Sequence, residues 1–479
     1  MKHLTLHASS SSAPAPGAET MPSAASASCP STMRPLAPET PPLGVRGMNN
    51  LGNTCFMASI LQALFALPPL KAHFLAGGHC AAVCRARRRG SKQTGGADGD
   101  TAAPAAALSP CLACELDAAF QAAFQPSHTG SAILAAKDGV RAAGIPPGRG
   151  PWSPHALLLA WWRHSESLAS YQQQDAHEFL LTLIAGAHAA VAPSAMRSPS
   201  ARSLPSTPRA VGGSSSWYAL APDACDCPMH ATLAGVLRSE VTCATCGTVS
   251  TVTDPFLDLS LEVPSTDTSA GIARLSSCLR RFTRRESLGP GERIHCATCG
   301  SLQPGSKLMC VDRLPPVLCL HIKRFSHAGS RANGGGGGGG ILAGGLGGNR
   351  DSSKVTTHVA FPLDCLDMAP YTAEGLAEPA SDMRAVPRFA QAHGGQGNCS
   401  CNDAGRAAVG TKYWCAAIVC HLGSMDGGHY VAYVRHDGKW FKCDDSWITA
   451  ASNAEVAACQ AYMLFYAQTS PKTEVGAPA

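Results

Sequence analysis

Two near-identical knuckles, Cys243-Ala-Thr-Cys246-Gly247 and Cys296-Ala-Thr-Cys299-Gly300, constrain the fold of this chain more than any other feature. Two such pairs supply four thiolates, the complement of a closed tetrahedral zinc site. To share one metal, the chain must leave the first knuckle and return to the second. The intervening segment is longer than in a small zinc finger, so it must fold as an extended excursion. Disulfides or free thiols are the other reading. A disulfide framework suits a short secreted chain. This chain has 479 residues, 22 of them cysteine, and its start lacks the apolar core of a secretory signal. Structural zinc in a reducing compartment, nucleus or cytoplasm, is therefore the expectation.

A second cysteine stands apart from the knuckles. After Asn50-Leu51-Gly52-Asn53-Thr54-Cys55, the residues Met57, Ile60, Leu61, Leu64 and Phe65 follow the spacing of one helical face. Pro68-Pro69 ends the run, and Asn53 and Thr54 are both types that cap a helix start. Cys55 then sits where the helix dipole favours negative charge, a setting that lowers a thiol's pKa and makes a nucleophile. The alternative is a buried cysteine opening a core helix.

Far downstream, Gly427-Gly428-His429-Tyr430-Val431-Ala432-Tyr433-Val434-Arg435 reads as a glycine turn feeding a strand. Asp437-Gly438 is a hairpin signal, with Lys439 to Asp445 as the return strand. A two-residue loop puts His436 opposite Lys439 and His429 opposite Ser446. Asp444 then lies diagonal to His429 on the same face, and Asp445 points to the other. A slip of one residue would reverse that choice. A Cys–His–Asp set needs a thiol, a base for its proton and a third group to fix the imidazole tautomer. The competing readings are a satisfied strand histidine and a solvated strand end.

These segments resemble the cysteine and histidine boxes of the ubiquitin-specific proteases. Gln172-Gln173-Gln174-Asp175-Ala176-His177-Glu178-Phe179-Leu180 resembles the family's segment between the boxes, and Leu314 to Phe325 its central palm strand. The four motifs stand in the family's order over roughly residues 45–467. The resemblance implies an α+β papain-like cysteine peptidase with a helical thumb (about 44–192), zinc-bearing fingers (about 238–305) and a palm from the remainder of 44–468. It implies Cys55 as nucleophile, His429 as base, Asp444 as its orienter and Asn50 as a stabiliser of the oxyanion. Gln173 and Asp175 match positions that contact ubiquitin's tail, and Gly427-Gly428 would border its channel. Asp175 and Glu178 also have capping-box spacing. Where the family often has Asn after the Met of its cysteine box, this chain has Ala58, a position read as packing.

The implied reaction is hydrolysis after ubiquitin's C-terminal glycine. The rivals are a ubiquitin-binding scaffold without catalysis and a peptidase for another ubiquitin-like modifier. Local matches such as Cys111-Leu-Ala-Cys114-Glu115 and Asp254-Pro-Phe-Leu-Asp258 favour the subgroup resembling the histone deubiquitinase of SAGA-type coactivator complexes. That subgroup implies a second zinc site, with His79, Cys84, Cys111 and Cys114 as one ligand set and Cys80 competing with His79. Cys225, Cys227 and His230 are read as packing residues beside the fingers. Ubiquitinated proteins, a nucleosomal histone among them, and a SAGA-type complex are the implied partners. Residues 1–43 contain nothing that could supply the N-terminal zinc domain by which such relatives dock.

Composition adds bounds. The 38 basic and 33 acidic residues leave a net charge of +5, too mild to argue for nucleic-acid binding. Arg85-Ala86-Arg87-Arg88-Arg89 is the one dense basic cluster, read as a nuclear signal, as a contact with acidic surfaces, or as a solvated loop. No apolar run approaches the roughly 18 residues of a membrane helix. Residues 1–43, rich in Ser, Ala and Pro, and the tail 469–479 are expected to be disordered. Segments 90–109, 193–216, 327–353 (which holds the glycine tract Gly334 to Gly340) and 371–410 read as insertions.

Overall fold

The apolar stripe after Cys55 forms a helix buried along its whole length, α1 (Cys55–Phe65), in the computed structural model of the chain. The structure describes residues 41–79, 84, 111–124, 150–191, 227–264, 272–289, 291–326, 353–377, 410–424 and 427–469. Segments 1–40, 90–109, 193–216, 327–352, 378–409 and 470–479, with Cys80, Arg85 to Arg89 and Cys225, lie outside them. All described residues belong to one unit, Thr40–Ala479. Pro68 opens α2 (Pro68–Leu75), where its missing N–H costs nothing. The helical part continues with α3 (Leu112–Phe124), α4 (His155–His164), α5 (Ala176–Val191) and α6 (Pro228–Leu233). No single described helix is long and apolar enough to cross a membrane.

Strands then dominate: β1 (Gly235–Cys243), β2 (Val249–Phe256), β3 (Leu259–Glu262), β4 (Ile272–Arg274), β5 (Glu286–Ser287) and β6 (Ile294–Cys296). Next come β7 (Ser301–Gln303), β8 (Gly305–Arg313), β9 (Val317–Lys323), β10 (Phe325–Ser326), β11 (Ser353–Lys354) and β12 (His358–Ala360). The last are β13 (Leu366–Asp367), β14 (Lys412–Gly423), β15 (Gly428–His436), β16 (Lys439–Asp444), β17 (Trp447–Ala451) and β18 (Ala461–Gln468). The main sheet has the order β17-β16-β15-β14-β18-β9-β3, with β13 also on β14. A separate sheet has the order β2-β1-β8-β5, and β6 and β7 form a hairpin.

The main sheet is covered on both faces. Val317, Cys319, Met463 and Phe465 join α1 and its neighbouring helices in one core. Leu318, Leu320, Leu464 and Tyr466 point into a second core with Leu275 and Leu279. Alternate residues of β9 and β18 therefore serve opposite cores, which is why these strands read as unbroken apolar runs. Tyr371 and Met368 are buried in the second core, so the insertion expected from residue 371 begins inside packed structure.

The hairpin at Asp437-Gly438 has the expected register, His436 opposite Lys439. Asp437 (φ +47°) and Gly438 (φ +78°) are both left-handed, as a two-residue type I′ turn requires. This turn fixes which side chains of β15 and β16 share a face.

Candidate active site

Cys55 is the first residue of α1, and the loop before it is held by its own polar groups. Asn50 Oδ1 accepts from the N–H groups of Gly52 (3.0 Å) and Thr54 (3.1 Å). Thr54 Oγ1 accepts from Leu51 N–H at 2.8 Å and makes no capping bond to α1. Gly52 (φ +106°) and Asn53 (φ +54°) take the left-handed backbone that makes this turn, residue types that tolerate it. The cap expected of Asn53 or Thr54 is thus spent within the loop.

The Cys55 thiol is 2% exposed. Burial pushes its pKa up, and the Asp445 carboxylate adds to that. Backbone N–H groups of Tyr430, Phe56 and Cys55 itself pull the other way but do not prevail. The helix start is where the sequence put it, but the thiol is shifted opposite to the expectation. Desolvation outweighs the helix terminus, and desolvation is a tertiary effect that a local motif cannot report.

The Tyr430 N–H reaches the Cys55 thiol, and His429 is the residue before it on β15. His429 Nε2 lies 2.7 Å from Asp444 Oδ1. With Nε2 donating there, Nδ1 carries the lone pair that can take a proton. Lys442 Nζ is 3.7 Å from Asp444 Oδ2. Asp445, in the left-handed turn at φ +50°, points elsewhere: its Oδ2 accepts from Asn50 Nδ2 at 2.9 Å. Burial raises the Asp445 carboxyl's pKa, against the Asn50 hydrogen bond and the His429 charge. Met48 N–H donates to Asp445 O at 2.8 Å. A side chain on Gly47 would collide with Ser446 O, so glycine permits this close docking of the two loops. The Asn50–Asp445 link joins the two boxes directly and was not read from the sequence.

Gln173 and Gly428 form a reciprocal pair, Gln173 Nε2 to Gly428 O (2.6 Å) and Gly428 N to Gln173 Oε1 (3.0 Å). Asp175 accepts from His177 N–H at 2.7 Å, capping α5. Tyr462 Oη lies 2.7 Å from both Asp175 oxygens. His177 Nε2 is 3.1 Å from Asp258 Oδ2 and its ring stacks on His321 with centroids 3.9 Å apart.

The two knuckles converge. The ligand atoms of Cys243, Cys246, Cys296 and Cys299 lie within 4.8 Å of one another, with Cys246 Sγ and Cys296 Sγ 3.4 Å apart. That is far beyond a disulfide bond of about 2.05 Å and close to the ~3.8 Å between sulfurs of a tetrahedral zinc site. The repeats fold alike: Gly247 N donates to Cys243 O and Gly300 N to Cys296 O, both at 2.9 Å. Both glycines have positive φ, +71° and +67°. His79, Cys84, Cys111 and Cys114 also gather within 4.8 Å, with His79 Nε2 3.1 Å from Cys114 Sγ. Both donor sets fit zinc.

A third group, read as packing residues, is buried: Cys227 is 2% and His230 4% exposed. Cys227 and His230 open α6 against α5, where their donor atoms and that of His188 lie within 4.8 Å, close enough to share a metal ion. Cys227 Sγ is 2.9 Å from His230 Nδ1. The Cys225-Asp-Cys227 spacing was visible in the sequence, but His188 comes from a different helix and no local pattern announces it.

A thiol at a helix start, next to a strand whose histidine is bonded to a carboxylate, is the arrangement of a papain-like cysteine peptidase. The chain belongs to one family of that class: the profile described as "Ubiquitin carboxyl-terminal hydrolase" matches residues 46–466. It is 33% identical over 444 residues to Ubiquitin C-terminal hydrolase 22 of Arabidopsis thaliana, covering 89% of this chain and 64% of that protein. To human Ubiquitin carboxyl-terminal hydrolase 22 it is 32% identical, covering 88% and 66%. The chain thus spans a little under two thirds of these relatives' length. Its structure is similar to a solved SAGA DUB module, Ubp8/Sgf11/Sus1/Sgf73 bound to monoubiquitin. There the TM-score is 0.56 and the identity 25%, over 89% of this chain and 70% of that one.

Proposed function

We propose that the chain is a thiol-dependent deubiquitinase that cleaves after the C-terminal glycine of ubiquitin. The observation that carries this is the His429–Asp444 bond of 2.7 Å beside a buried Cys55 thiol at the start of α1. His429 Nδ1 takes the thiol proton as Cys55 Sγ attacks the glycine carbonyl carbon. Burial pushes the thiol's pKa up, which favours proton transfer to the imidazole in concert with the attack. The oxyanion is met by the Cys55 N–H and by the amide hydrogen of Asn50 that Asp445 does not hold. Collapse breaks the bond to the leaving amine, which receives the proton from His429. Water, activated by the same imidazole, then releases the acyl group.

Gln173, Asp175, Gly427 and Gly428 are the groups proposed to hold ubiquitin's tail. Because Gln173 and Gly428 already bond each other, tail binding must exchange those bonds for bonds to the tail. Zinc in the Cys243/Cys246/Cys296/Cys299 set, and in the His79/Cys84/Cys111/Cys114 set, is proposed as structural, since four protein ligands leave no open position for water. A SAGA-type complex as partner is proposed on the likeness to the SAGA DUB module, and a histone substrate and a place in nucleus or cytoplasm are proposed with it.

The test is reaction with ubiquitin carrying a C-terminal electrophile, run beside the same probes built on other modifiers. The expected result is one covalent adduct with the ubiquitin probe, absent in Cys55→Ala. Binding without adduct would identify a scaffold, and a preference for another probe would move the substrate.

A further inference from the structure

Trp447 takes no part in the reaction just described, yet it stands next to the reacting groups. It opens β17, the edge strand of the main sheet, and is 60% exposed. In the antiparallel ladder Trp447 is directly opposite Asp444, so the two side chains stand on one face. Asp444 is bonded to His429. The indole therefore stands in solvent beside the imidazole–carboxylate pair. It is held there firmly, because the Asp445–Ser446 turn that carries it is docked on the Cys55 loop through Met48 N–H and Asn50 Nδ2. A large aromatic surface, fixed and exposed at a site's rim, is a typical anchor for a bound chain.

The chemistry says which chain. His429 must hand its proton to the leaving amine, so that amine sits against the imidazole. The segment it belongs to then departs along the His429–Asp444 side. Ubiquitin's tail is assigned the Gln173 and Gly427-Gly428 side. The geometry points to Trp447 as the contact for the acceptor segment, the stretch of the ubiquitinated protein around its modified lysine. This rests on the deubiquitinase reading. The lysine's aliphatic arm packs on the indole face, and the ammonium released by cleavage is attracted to it. Lys442 does not compete for that face, because its charge is engaged 3.7 Å from Asp444 Oδ2.

Two substrates separate this role from others. One is ubiquitin joined by an isopeptide bond to a lysine in a peptide, and the other is ubiquitin ethyl ester, which has no acceptor chain. For Trp447→Ala the ratio of kcat/KM, peptide over ester, is expected to fall about ten-fold, mostly through KM. Trp447→Phe is expected to recover most of the ratio. An unchanged ratio overturns the inference. That includes equal losses on both substrates, which would mean that the indole only shields the His429–Asp444 bond from water. Failure of the unaltered chain to turn over either substrate, or to react with the electrophilic probe, would instead sink the deubiquitinase reading, and this inference with it. A melting curve for Trp447→Ala, expected to match the parent because the side chain lies outside both cores, excludes misfolding as the cause.

Discussion

Asn50 Nδ2 carries two donors, and Asp445 Oδ2 takes one of them. In the proposed reaction Asp445 is a positioning residue for the oxyanion donor, and Asp444 positions the base. Losing one oxyanion-hole donor costs about 10²–10³ in kcat, and Asn50→Ala is expected in that range. Asp445→Ala should lose less, and the double variant should be no slower than Asn50→Ala alone. Losses that multiply would place Asp445 on a separate path. Asp444→Ala removes the group that sets the His429 tautomer and should cost about 10³–10⁴, more than Asp445→Ala. Equal losses would mean that the two carboxylates share one role. Cys55 supplies a pH test. Its pKa is pushed up, chiefly by burial, so the thiolate fraction should keep growing as pH rises above neutrality. Alkylation of Cys55 by iodoacetamide, followed by mass spectrometry, should still be accelerating at pH 9. A plateau by pH 7 would reveal a resting thiolate–imidazolium pair.

Among elements, helix α5 matters most for the proposed tail segment, because Gln173 and Asp175 immediately precede it. Its first turn is tied to the β2–β3 connection by the His177–Asp258 ion pair at 3.1 Å. Burial lowers His177's pKa, but the hydrogen bond and charge of Asp258, with the charges of Asp175 and Glu178, outweigh it, and the net shift is up. Burial raises Asp258's pKa, but His177, then His321 and Ser260, bring it down. His321 is lowered to about 3, first by burial, and stays neutral through the working range. The signs differ. The His177 contribution is whole below its unfolded value of about 6.5 and fades as pH rises through the folded value. The Asp258 contribution is whole above about 3.9 and fades as pH falls through its depressed value. Both are present between roughly pH 4 and 6.5. Asp258→Asn should therefore destabilise by about 3 kcal/mol at pH 6 and clearly less at pH 8.5, by denaturant midpoints. A cost that is flat with pH would show that the pair is not ionised.

At the scale of the whole molecule, what could be read in the sequence was what local rules determine. Asp437-Gly438 announced a two-residue turn, and that turn set the register that puts Asp444 on the face of His429. The duplicated Cys-Ala-Thr-Cys-Gly announced two matching turns, and they meet. What escaped was assembled across distance: His188 with Cys227, Asn50 with Asp445, and the burial that raises Cys55. The knuckles give the last prediction. They sit at the end of a sheet in which β1 and β8 pair from Val236–Arg313 to Cys243–Gly305, so a shared metal would close the far end of an excursion otherwise held by strand pairing. Its removal should loosen that end and leave the two cores in place. Purified protein should contain at least one zinc per chain, and a second if the His79 set also binds. Cys246→Ser should lower the zinc content by one and raise KM for ubiquitin substrates several-fold, an effect typical of a lost binding surface. Alkylation of Cys55 by a small electrophile should change less than about two-fold, because the thiol lies in the core of α1 and not in the β1–β8 sheet. Metal-free protein with full affinity for ubiquitin would remove both the zinc and its role in holding the substrate.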